Sequence, residues 1–237
     1  MDAVILAGGM GERLQSVVSD VPKPIAPVGG RPFLEYVMDY WLREKISRFI
    51  LCVGFKHNLI EKHFRSEYKG VPIEYSIEDR SMGTGGGLLL CFRKFKFSEH
   101  VVVLNGDTYF EVHLADFKAF HSAKHSDWSI ALSHVGANQR YGGILMNQNG
   151  EIESFKSDVN SKPSENTFIN GGVYLVNPKI FDSYSWDGKS KVSLESDVIP
   201  SMLQKKTHFF GFVSRAKFID IGIPEDYCKA REMFDSN

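Results

Sequence analysis

The sequence is poor in cysteine and has no excess of either charge. Three of its 237 residues are cysteines, Cys52, Cys91 and Cys228, and they lie far apart without a metal-type cluster. This usage excludes a disulfide framework and indicates reduced, buried thiols, as in cytosolic proteins. The formal net charge of −1 excludes the broad basic face that backbone-driven nucleic-acid binding needs.

Membrane and export signals are missing as well. No apolar run approaches the roughly 18 residues of a membrane span. The chain starts Met-Asp-Ala-Val-Ile-Leu, without the basic start of a signal peptide. We therefore expect a cytoplasmic protein with no membrane partner. A hydrophobic content of 43% and a charged content of 24% are ordinary for a globular domain.

Short apolar runs alternate with longer helical patterns in the first half of the chain. Strands are predicted at Ala3–Leu6, Phe49–Val53, Ile73–Ile77 and Val101–Leu104, and helices at Phe33–Lys45, Asn58–Arg65 and Gly85–Phe95. Such alternation predicts βαβ units and a largely parallel sheet, which binds ligands beyond the carboxyl ends of its strands.

After Asp127 the pattern changes to short strands and turns. Antiparallel strands are predicted at Trp128–His134, Gly143–Met146 and Glu151–Phe155, with a hairpin turn at Asn147–Gly150, and Gly172–Val176 is a further strand. Phe209–Val213 and Lys217–Ile219 return to the core before a helix at Pro224–Phe234. We predict one α/β domain over 1–237, with an open, mostly parallel Rossmann-like sheet. The core would be about 1–135 and 205–237, and an antiparallel lobe would be inserted at about 136–204.

The first strand runs into a loop with three glycines, Gly8, Gly9 and Gly11. The loop lacks the Lys-Ser or Lys-Thr of the Walker pattern, and the third glycine of the dinucleotide fingerprint would fall on Leu14. Its backbone N–H groups can still line an anion, and Arg13 can clamp phosphate oxygens. A plain strand-to-helix turn is the alternative interpretation.

Lys23 stands between Pro22 and Pro24. Because the two prolines fix the backbone, this lysine has a defined reach, which suits a cation aimed at a charged group. A solvated surface lysine is the alternative.

These segments resemble the signature of the sugar-1-phosphate nucleotidyltransferases, also called NDP-sugar pyrophosphorylases. The signature begins with Leu6-Ala7-Gly8-Gly9-x-Gly11-x-Arg13-Leu14 and Pro22-Lys23-Pro24. The remaining motifs follow in order over essentially the whole chain: Gly83-Thr84-Gly85-Gly86, Asn105-Gly106-Asp107, Lys162-Pro163, Asn170-Gly171-Gly172, Leu194-Glu195-x-Asp197 and Ile219-Asp220-x-Gly222. Each motif is short, but the ordered set is specific.

The resemblance implies that a sugar 1-phosphate attacks the α-phosphorus of a nucleoside triphosphate and releases pyrophosphate, with Mg²⁺ as cofactor. Arg13, Lys23 and Asp107 would carry catalysis, and Asp107 and Asp220 would hold the metal. The pattern itself supports Asp107, because a carboxylate at the carboxyl end of a parallel strand is a natural Mg²⁺ ligand; a turn-forming aspartate is the alternative. The remaining nucleotide-binding residues would be Leu6, Ala7, Gly8, Gly9, Gly11, Gly83 and Thr84, with the amides of Gly83–Gly86 facing an anionic ligand.

Glu78 lies five residues before Gly83, where thymidylyl and uridylyl relatives typically have Gln. A carboxylate can accept hydrogen bonds from guanine N1–H and N2–H₂ but cannot donate to O4 of uracil or thymine. We therefore predict GTP as the nucleotide, read by Glu78. The neighbouring Asp79 is an alternative reader.

The sugar phosphate would bind in the lobe, at Gly143, Lys162, Asn170, Gly171 and Glu195. Lys162 corresponds to the lysine of a Glu-Lys-Pro motif, although Ser161 replaces the glutamate here. Turn glycines and a solvated acid are the alternative interpretations of Gly143, Gly171 and Glu195.

The resemblance favours members that use D-glycero-α-D-manno-heptose 1-phosphate and give GDP-heptose. The alternative is a guanylyl- or uridylyltransferase for mannose 1-phosphate or another hexose 1-phosphate. A non-catalytic sensor is less consistent with the motifs, since Arg13, Lys23, Asp107 and Asp220 are all present. A cytidylyltransferase is less consistent with Asn170-Gly171-Gly172 and Lys162-Pro163. A homodimer through the aromatic surface at Phe209–Phe210 is a further expectation.

Overall fold

A mostly parallel sheet forms the centre of the structure, a computed structural model that describes residues 1–14, 16–18, 20–134, 143–155, 168–182, 184–185 and 190–235, without the side chain of Glu12. Within these ranges the strands are β1 (Asp2–Leu6), β2 (Pro27–Val28), β3 (Arg31–Pro32), β4 (Arg48–Val53), β5 (Glu67–Tyr68), β6 (Val71–Ile77), β7 (Val101–Asn105), β8 (Thr108–Phe110), β9 (Trp128–Ser133), β10 (Ile144–Met146), β11 (Ile152–Phe155), β12 (Ile169–Val176), β13 (Phe209–Ser214) and β14 (Phe218–Asp220). The α-helices are α1 (Phe33–Arg43), α2 (His57–Phe64), α3 (Gly83–Lys94), α4 (Leu114–Ala123), α5 (Ile199–Gln204) and α6 (Pro224–Asp235).

The described strands of the central sheet follow the order β13-β9-β12-β7-β1-β4-β6-β5. β1 pairs in parallel with β4 and β7, β4 with β6, and β9 with β13. β12 is antiparallel to both of its neighbours, β7 and β9. The prediction of an open, mostly parallel α/β sheet is therefore confirmed.

Side chains of the central strands alternate between two hydrophobic cores, one on each face of the sheet. Ala3 and Ile5 belong to the core that also contains Phe33 of α1, whereas Val4 belongs to the core that contains Leu88 of α3. Successive side chains of a strand point to opposite faces. A strand covered on both faces is apolar at every position, which explains the continuous runs in the sequence.

The segment Lys217–Ile219 was predicted to return to the core. Ile219 is buried in one of the two cores, and its strand β14 pairs with β8 in a two-stranded ladder outside the central sheet. The helix α4 was not predicted. Its buried positions, Leu114, Phe117 and His121, have helical spacing, but one of them is a histidine and exposed alanines lie between them, so the apolar pattern in the sequence is weak.

The predicted hairpin is present, with β10 antiparallel to β11 and a turn in which Asn147 N–H donates to Glu151 O over 3.0 Å. The predicted lobe nevertheless contains β12, and this strand lies inside the central sheet between β9 and β7. Assigning 169–176 to the lobe was wrong, because strand order depends on long-range pairing that the local sequence does not reveal. The remaining division into core and lobe stays a prediction.

Three further expectations can be compared with the structure. Cys52 and Cys91 are buried free thiols, but Cys228 is exposed, contrary to the expectation of buried thiols. Phe209 is fully buried and cannot form an open dimer surface, so a homodimer stays a prediction without that residue. In the described part of the chain, no helix is long and apolar enough to cross a membrane.

Candidate active site

A cavity of about 600 Å³ opens at the carboxyl ends of the parallel strands. Leu6 ends β1, Asn105 ends β7, and Glu78 follows β6, and all three line the cavity. This is the crevice in which open α/β sheets bind ligands. The lining contains every residue predicted for the nucleotide site: Leu6, Ala7, Gly8, Gly9, Gly11, Arg13, Lys23, Glu78, Gly83, Thr84 and Asp107.

The three glycines of the first loop have different surroundings. A Cβ at Gly8 would lie 2.9 Å from Glu78 Oε1, and a Cβ at Gly11, whose φ is +62°, would lie 2.9 Å from Lys23 Cβ. A Cβ at Gly9 would meet no atom of the described residues within 4 Å. Gly8 and Gly11 thus leave room for protein side chains, and Gly9 is the glycine that faces open space.

Lys23 begins a short 3₁₀ helix, Lys23–Ile25, between its two flanking prolines. Its Nζ forms a hydrogen-bonded ion pair with Asp107 Oδ2 and lies 3.8 Å from Asp220 Oδ1. Only 11% of the lysine side chain is exposed. This lysine is aimed at charged groups, as the Pro-Lys-Pro pattern predicts.

Asp107 and Asp220 are brought together by the β8–β14 ladder. Asp220 is the register partner of Thr108, and Ile221 N–H donates to the carbonyl oxygen of Asp107 over 3.0 Å. Gly222 N–H donates to Asp220 Oδ1 over 2.6 Å. Burial, followed by repulsion from Asp107, raises the pKa of Asp220 to about 6. The ladder thus brings the two carboxylates predicted to hold the metal to the same lysine.

The carboxylate pair has the donor chemistry of a site for a hard divalent cation. Such cations take one or two protein carboxylates, with phosphate and water oxygens as the other ligands. Among the described residues no group of three or more His, Cys, Asp or Glu could hold a metal by itself. Asp107 and Asp220 therefore fit a cation that a bound phosphate helps to hold.

Arg13 lies in another short 3₁₀ helix, Glu12–Leu14, and lines the cavity. The residue is exposed, and its charge lowers the pKa of Asp220, although burial has the larger, opposite effect. A guanidinium at this place can reach phosphate oxygens that lie above the carboxylate pair.

Glu78 forms part of the cavity wall, and Asp79 is exposed and absent from the described lining. Met82 N–H donates to Glu78 Oε2 over 2.8 Å. A Cβ at Gly8 or Gly87 would lie within 2.9 Å of the other oxygen, Oε1. Burial raises the pKa of Glu78, and the bond from Met82 opposes this. Glu78 is thus a fixed acceptor, and Asp79 is a poor candidate for the same role.

The expectation that the amides of Gly83–Gly86 face an anionic ligand is wrong for two of them. Gly85 N–H and Gly86 N–H donate to the carbonyl oxygen of Val192 over 2.9 and 3.1 Å. A Cβ at Gly83 would lie 2.5 Å from the same carbonyl oxygen. These glycines allow the segment around Val192 to pass close to the start of α3.

Comparison with known proteins agrees with this geometry. The model of the nucleotidyl transferase family matches residues 2–237. The chain belongs to this family. It is 42% identical to a D-glycero-α-D-manno-heptose 1-phosphate guanylyltransferase of Aneurinibacillus thermoaerophilus, over 98% of this chain and 97% of the relative. A mannose-1-phosphate guanylyltransferase of Mycobacterium tuberculosis is 29% identical over 97% of this chain and 63% of that protein.

A solved relative has the same fold. The crystal structure of HddC from Yersinia pseudotuberculosis complexed with GMP-PN superposes with a TM-score of 0.83 at 35% identity, over 98% of this chain and 99% of that one. The conclusion that this chain is a nucleotidyltransferase enzyme therefore has support from sequence, fold and cavity.

Of the described residues predicted to bind the sugar phosphate, one lines the cavity and three do not. Glu195 lines the cavity, whereas Gly143, Asn170 and Gly171 are not among the described residues that line it. Lys162 lies outside the described residues. Their sugar-phosphate roles stay predictions.

Asn170 and Gly171 have structural partners at an irregularity in β12. Asn170 Nδ2 donates to the Tyr174 hydroxyl over 2.6 Å, and Gly172 N–H donates to Asn170 Oδ1 over 2.8 Å. A Cβ at Gly171 would lie 2.4 Å from the Phe110 ring. The motif Asn170-Gly171-Gly172 thus shapes the strand beside the nucleotidyl transferase cavity.

Sequence reasoning missed several lining residues of the nucleotidyl transferase site. These are Met10, Pro24, Cys52, Ser81, Gly87, Asn105, Lys191 and Gly222. Pro24, Asn105 and Gly222 are specified residues of the motifs, and Met10 is the unspecified position of the first motif, so the motifs already carried the signal for these four. Lys191 lies next to Val192, and no local pattern marks it.

Proposed function

We propose that this nucleotidyltransferase transfers GMP from GTP to D-glycero-α-D-manno-heptose 1-phosphate, giving GDP-heptose and pyrophosphate. The observation that carries the reaction class is the contact of Lys23 with both Asp107 and Asp220 beside an open glycine loop. The guanylyltransferase relatives support the base and the sugar. The reaction would take place in the cytoplasm, where GTP is available.

The proposed chemistry is an in-line displacement at phosphorus. An oxygen of the sugar 1-phosphate forms a bond to the α-phosphorus of GTP. The bond from that phosphorus to the oxygen bridging to the β-phosphate breaks, and pyrophosphate leaves with the electron pair. The protein supplies position and charge neutralisation, and no protein nucleophile is needed.

In this proposal, Lys23 and Arg13 neutralise the negative charge of different phosphate groups. The Asp107 and Asp220 carboxylates hold the Lys23 ammonium in the cavity wall, where it can approach the α-phosphate. Arg13, which is exposed and lines the cavity, can hold the β- and γ-phosphates as charge develops on the leaving group.

Asp107 and Asp220 are the residues that would hold Mg²⁺. When bound, the cation would act as a Lewis acid on the phosphate oxygens and neutralise part of their charge. The hard carboxylate oxygens fit this ion and leave its remaining coordination to phosphate and water.

Glu78 is proposed to read the base. Its carboxylate is held by Met82 N–H on the side of the cavity next to Gly8. Guanine presents two adjacent donors on its N1 and N2 edge, which a carboxylate can accept. Uracil and thymine present an acceptor, O4, that a carboxylate repels.

The sugar phosphate is proposed to use Glu195 of the described residues, with Lys162, Gly143, Asn170 and Gly171 as further candidates. Heptose rests on the 42% identity to the Aneurinibacillus thermoaerophilus enzyme. Mannose 1-phosphate is the second candidate, because the mannose-1-phosphate guanylyltransferase of Mycobacterium tuberculosis matches over 97% of this chain.

The test is pyrophosphate release with Mg²⁺, using GTP, ATP, CTP, UTP and dTTP against each of the two sugar phosphates. Release with GTP and the heptose phosphate alone supports the proposal. Release with GTP and mannose 1-phosphate supports the second candidate instead. Release with another nucleotide contradicts the role of Glu78, and no release with any pair contradicts the proposed reaction.

A further inference from the structure

The hydroxyl of Thr84 connects the start of α3 to the segment that follows Val192. Leu194 N–H donates to Thr84 Oγ1 over 2.9 Å, and Thr84 Oγ1 donates to Glu195 Oε2 over 3.3 Å. A threonine hydroxyl has one proton to donate, and here that proton is directed to Glu195. Thr84 therefore serves the neighbouring protein segment, although it lines the cavity.

Glu195 is anchored through one carboxylate oxygen. The Ser193 hydroxyl donates to the same Oε2 over 3.4 Å. No side chain of the described residues donates to the other oxygen, Oε1, although the backbone N–H of Glu195 also donates to its own carboxylate. A carboxylate that lines a cavity with one oxygen held and the other without a side-chain donor is suited to accept a hydrogen bond from a hydroxyl group of a ligand.

The segment that carries Glu195 is itself fixed. Ser196 N–H donates to Ser193 Oγ over 3.1 Å, and Ser193 N–H donates to Asp197 Oδ2 over 2.8 Å. This reciprocal pattern stabilises the start of a helical turn. The turn Leu194–Val198 is a π-helix, a form found often at functional sites.

Glu195 and Glu78 have different neighbours among the residues that line the cavity. Glu78 is next to Gly8 and Gly54, which follow β1 and β4. The charge of Asp107, which follows β7, raises the pKa of Glu195, and Glu195 raises that of Tyr174 in β12, in both cases after the larger effect of burial. In the sheet order, β4 and β6 lie on one side of β1, and β7 and β12 lie on the other.

We propose that Thr84 is a positioning residue that holds Glu195 to accept a hydrogen bond from a hydroxyl group of the sugar 1-phosphate. The proposal rests on the proposed function, because it assigns the base to the Glu78 side of the cavity and the sugar to the Glu195 side. It also gives Thr84 a role different from the predicted nucleotide contact, since its hydroxyl proton is engaged by the protein.

The test compares Thr84→Val, which keeps the shape and removes the hydroxyl, with Thr84→Ser, which keeps the hydroxyl. We expect Thr84→Val to raise the KM for the sugar 1-phosphate about 10-fold, the scale of a lost hydrogen bond to a charged group. The KM of this variant for GTP should stay within about twofold of the wild-type value. The same holds for its Kd for GTP, measured by calorimetry without sugar phosphate. Thr84→Ser should keep a KM for the sugar 1-phosphate close to that of the wild type.

A double-mutant cycle with Glu195→Gln separates positioning from a general packing defect. If Thr84 acts through Glu195, Thr84→Val adds little to the effect of Glu195→Gln, because coupled residues are not additive. Each variant is first compared with the wild type in thermal unfolding and circular dichroism. A Thr84→Val protein that unfolds is replaced by Thr84→Ala in the same cycle.

The proposal would be overturned by additive effects in the cycle, by a rise in the KM for GTP in place of the sugar phosphate, or by equal losses in the Val and Ser variants. The wild-type enzyme is assayed in parallel with both sugar phosphates. A wild type that releases no pyrophosphate contradicts the proposed function, whereas an active wild type with an unaffected Thr84→Val variant contradicts this inference alone.

Discussion

Lys23 and Asp107 form an ion pair in the wall of the cavity, although they are 84 residues apart in the chain. The lysine also lies 3.8 Å from Asp220, and the three side chains are between 11% and 33% exposed. Two carboxylates this close to each other repel unless a cation lies beside them. The lysine ammonium supplies that cation in the structure.

Replacing Lys23 with Gln is expected to lower the free energy of unfolding by about 2 kcal/mol. This is less than the loss for a fully buried pair, because Asp107 is one-third exposed. Adding Mg²⁺ without nucleotide should stabilise Lys23→Gln more than the wild type, since the carboxylate pair then lacks its ammonium. Thermal unfolding with and without Mg²⁺ measures both effects, and activity should fall about 100-fold.

The control for this prediction is Lys191→Gln. Lys191 also lines the cavity, but its side chain is exposed. The substitution should change neither the unfolding temperature nor the response to Mg²⁺. Equal stabilisation of wild type and Lys23→Gln by Mg²⁺ would show that the lysine and the metal do not share the carboxylates.

Glu78→Gln is expected to lower kcat/KM for GTP by about 10- to 100-fold, the range for losing one well-placed pair of hydrogen bonds to a base. The Gln oxygen would accept from Met82 N–H, which now donates to Glu78 Oε2. Its amide group would then face the guanine donors. The ratio of kcat/KM for GTP to that for UTP is the measurement.

The matched control is Asp79→Asn, which makes the same chemical change one residue away at an exposed position. It should leave the ratio unchanged. A ratio that responds to Asp79 and not to Glu78 would move base recognition to the neighbouring residue.

Gly8→Ala and Gly9→Ala should have different effects: the first should destabilise the protein, and the second should weaken GTP binding. A Cβ at position 8 would press on Glu78 Oε1 at 2.9 Å, so Gly8→Ala should lower the free energy of unfolding by about 1 kcal/mol or more. A Cβ at position 9 meets nothing in the described structure within 4 Å, and its stability should stay within about 0.5 kcal/mol of wild type. Gly9→Ala should still raise the KM for GTP about 10-fold if phosphates lie in that space. Denaturant unfolding and initial rates give the comparison.

The sequence was informative wherever a motif follows a buried strand. Leu6 ends β1, Glu78 follows β6 and Asp107 follows β7. The three residues are far apart in the chain, yet all of them line one cavity. Parallel strands place their carboxyl ends at one edge, so residues that follow them converge without any knowledge of loop geometry. This rule is why the nucleotide site could be predicted from spacing and order.

The sequence was uninformative wherever the partner is distant in the chain and unmarked. A glycine indicates that something lies close, but not what lies there. At Gly83 the neighbour is the Val192 carbonyl, and at Gly8 it is the Glu78 carboxylate. The place of β12 inside the sheet has the same cause, because nothing in its own residues specifies β7 and β9 as neighbours.

His121 lies in a buried chain of hydroxyl groups away from the cavity. Ser126 Oγ–H is directed to backbone carbonyl oxygens, and Ser129 Oγ donates to Ser126 Oγ over 3.1 Å. The contact of 2.8 Å between His121 Nδ1 and Ser129 Oγ therefore needs the proton on Nδ1. The other nitrogen, Nε2, is buried without a partner in the described structure, so a second proton there would be a buried, unpaired donor.

This arrangement predicts a loss of stability in mild acid. Burial, with the nearby His100 as a second cause and Asp127 opposing, lowers the pKa of His121 from 6.5 to about 4. Above pH 6.5 the ring is neutral in both states and contributes nothing. As the pH falls from 6.5 towards 4 the unfolded chain takes up the proton and the folded protein does not, so the free energy of unfolding falls, by about 3 kcal/mol at the limit. Urea unfolding across this range should show a smaller decline for His121→Gln, and the exposed His113→Gln should behave as wild type. Equal declines in all three proteins would assign the acid sensitivity to other groups.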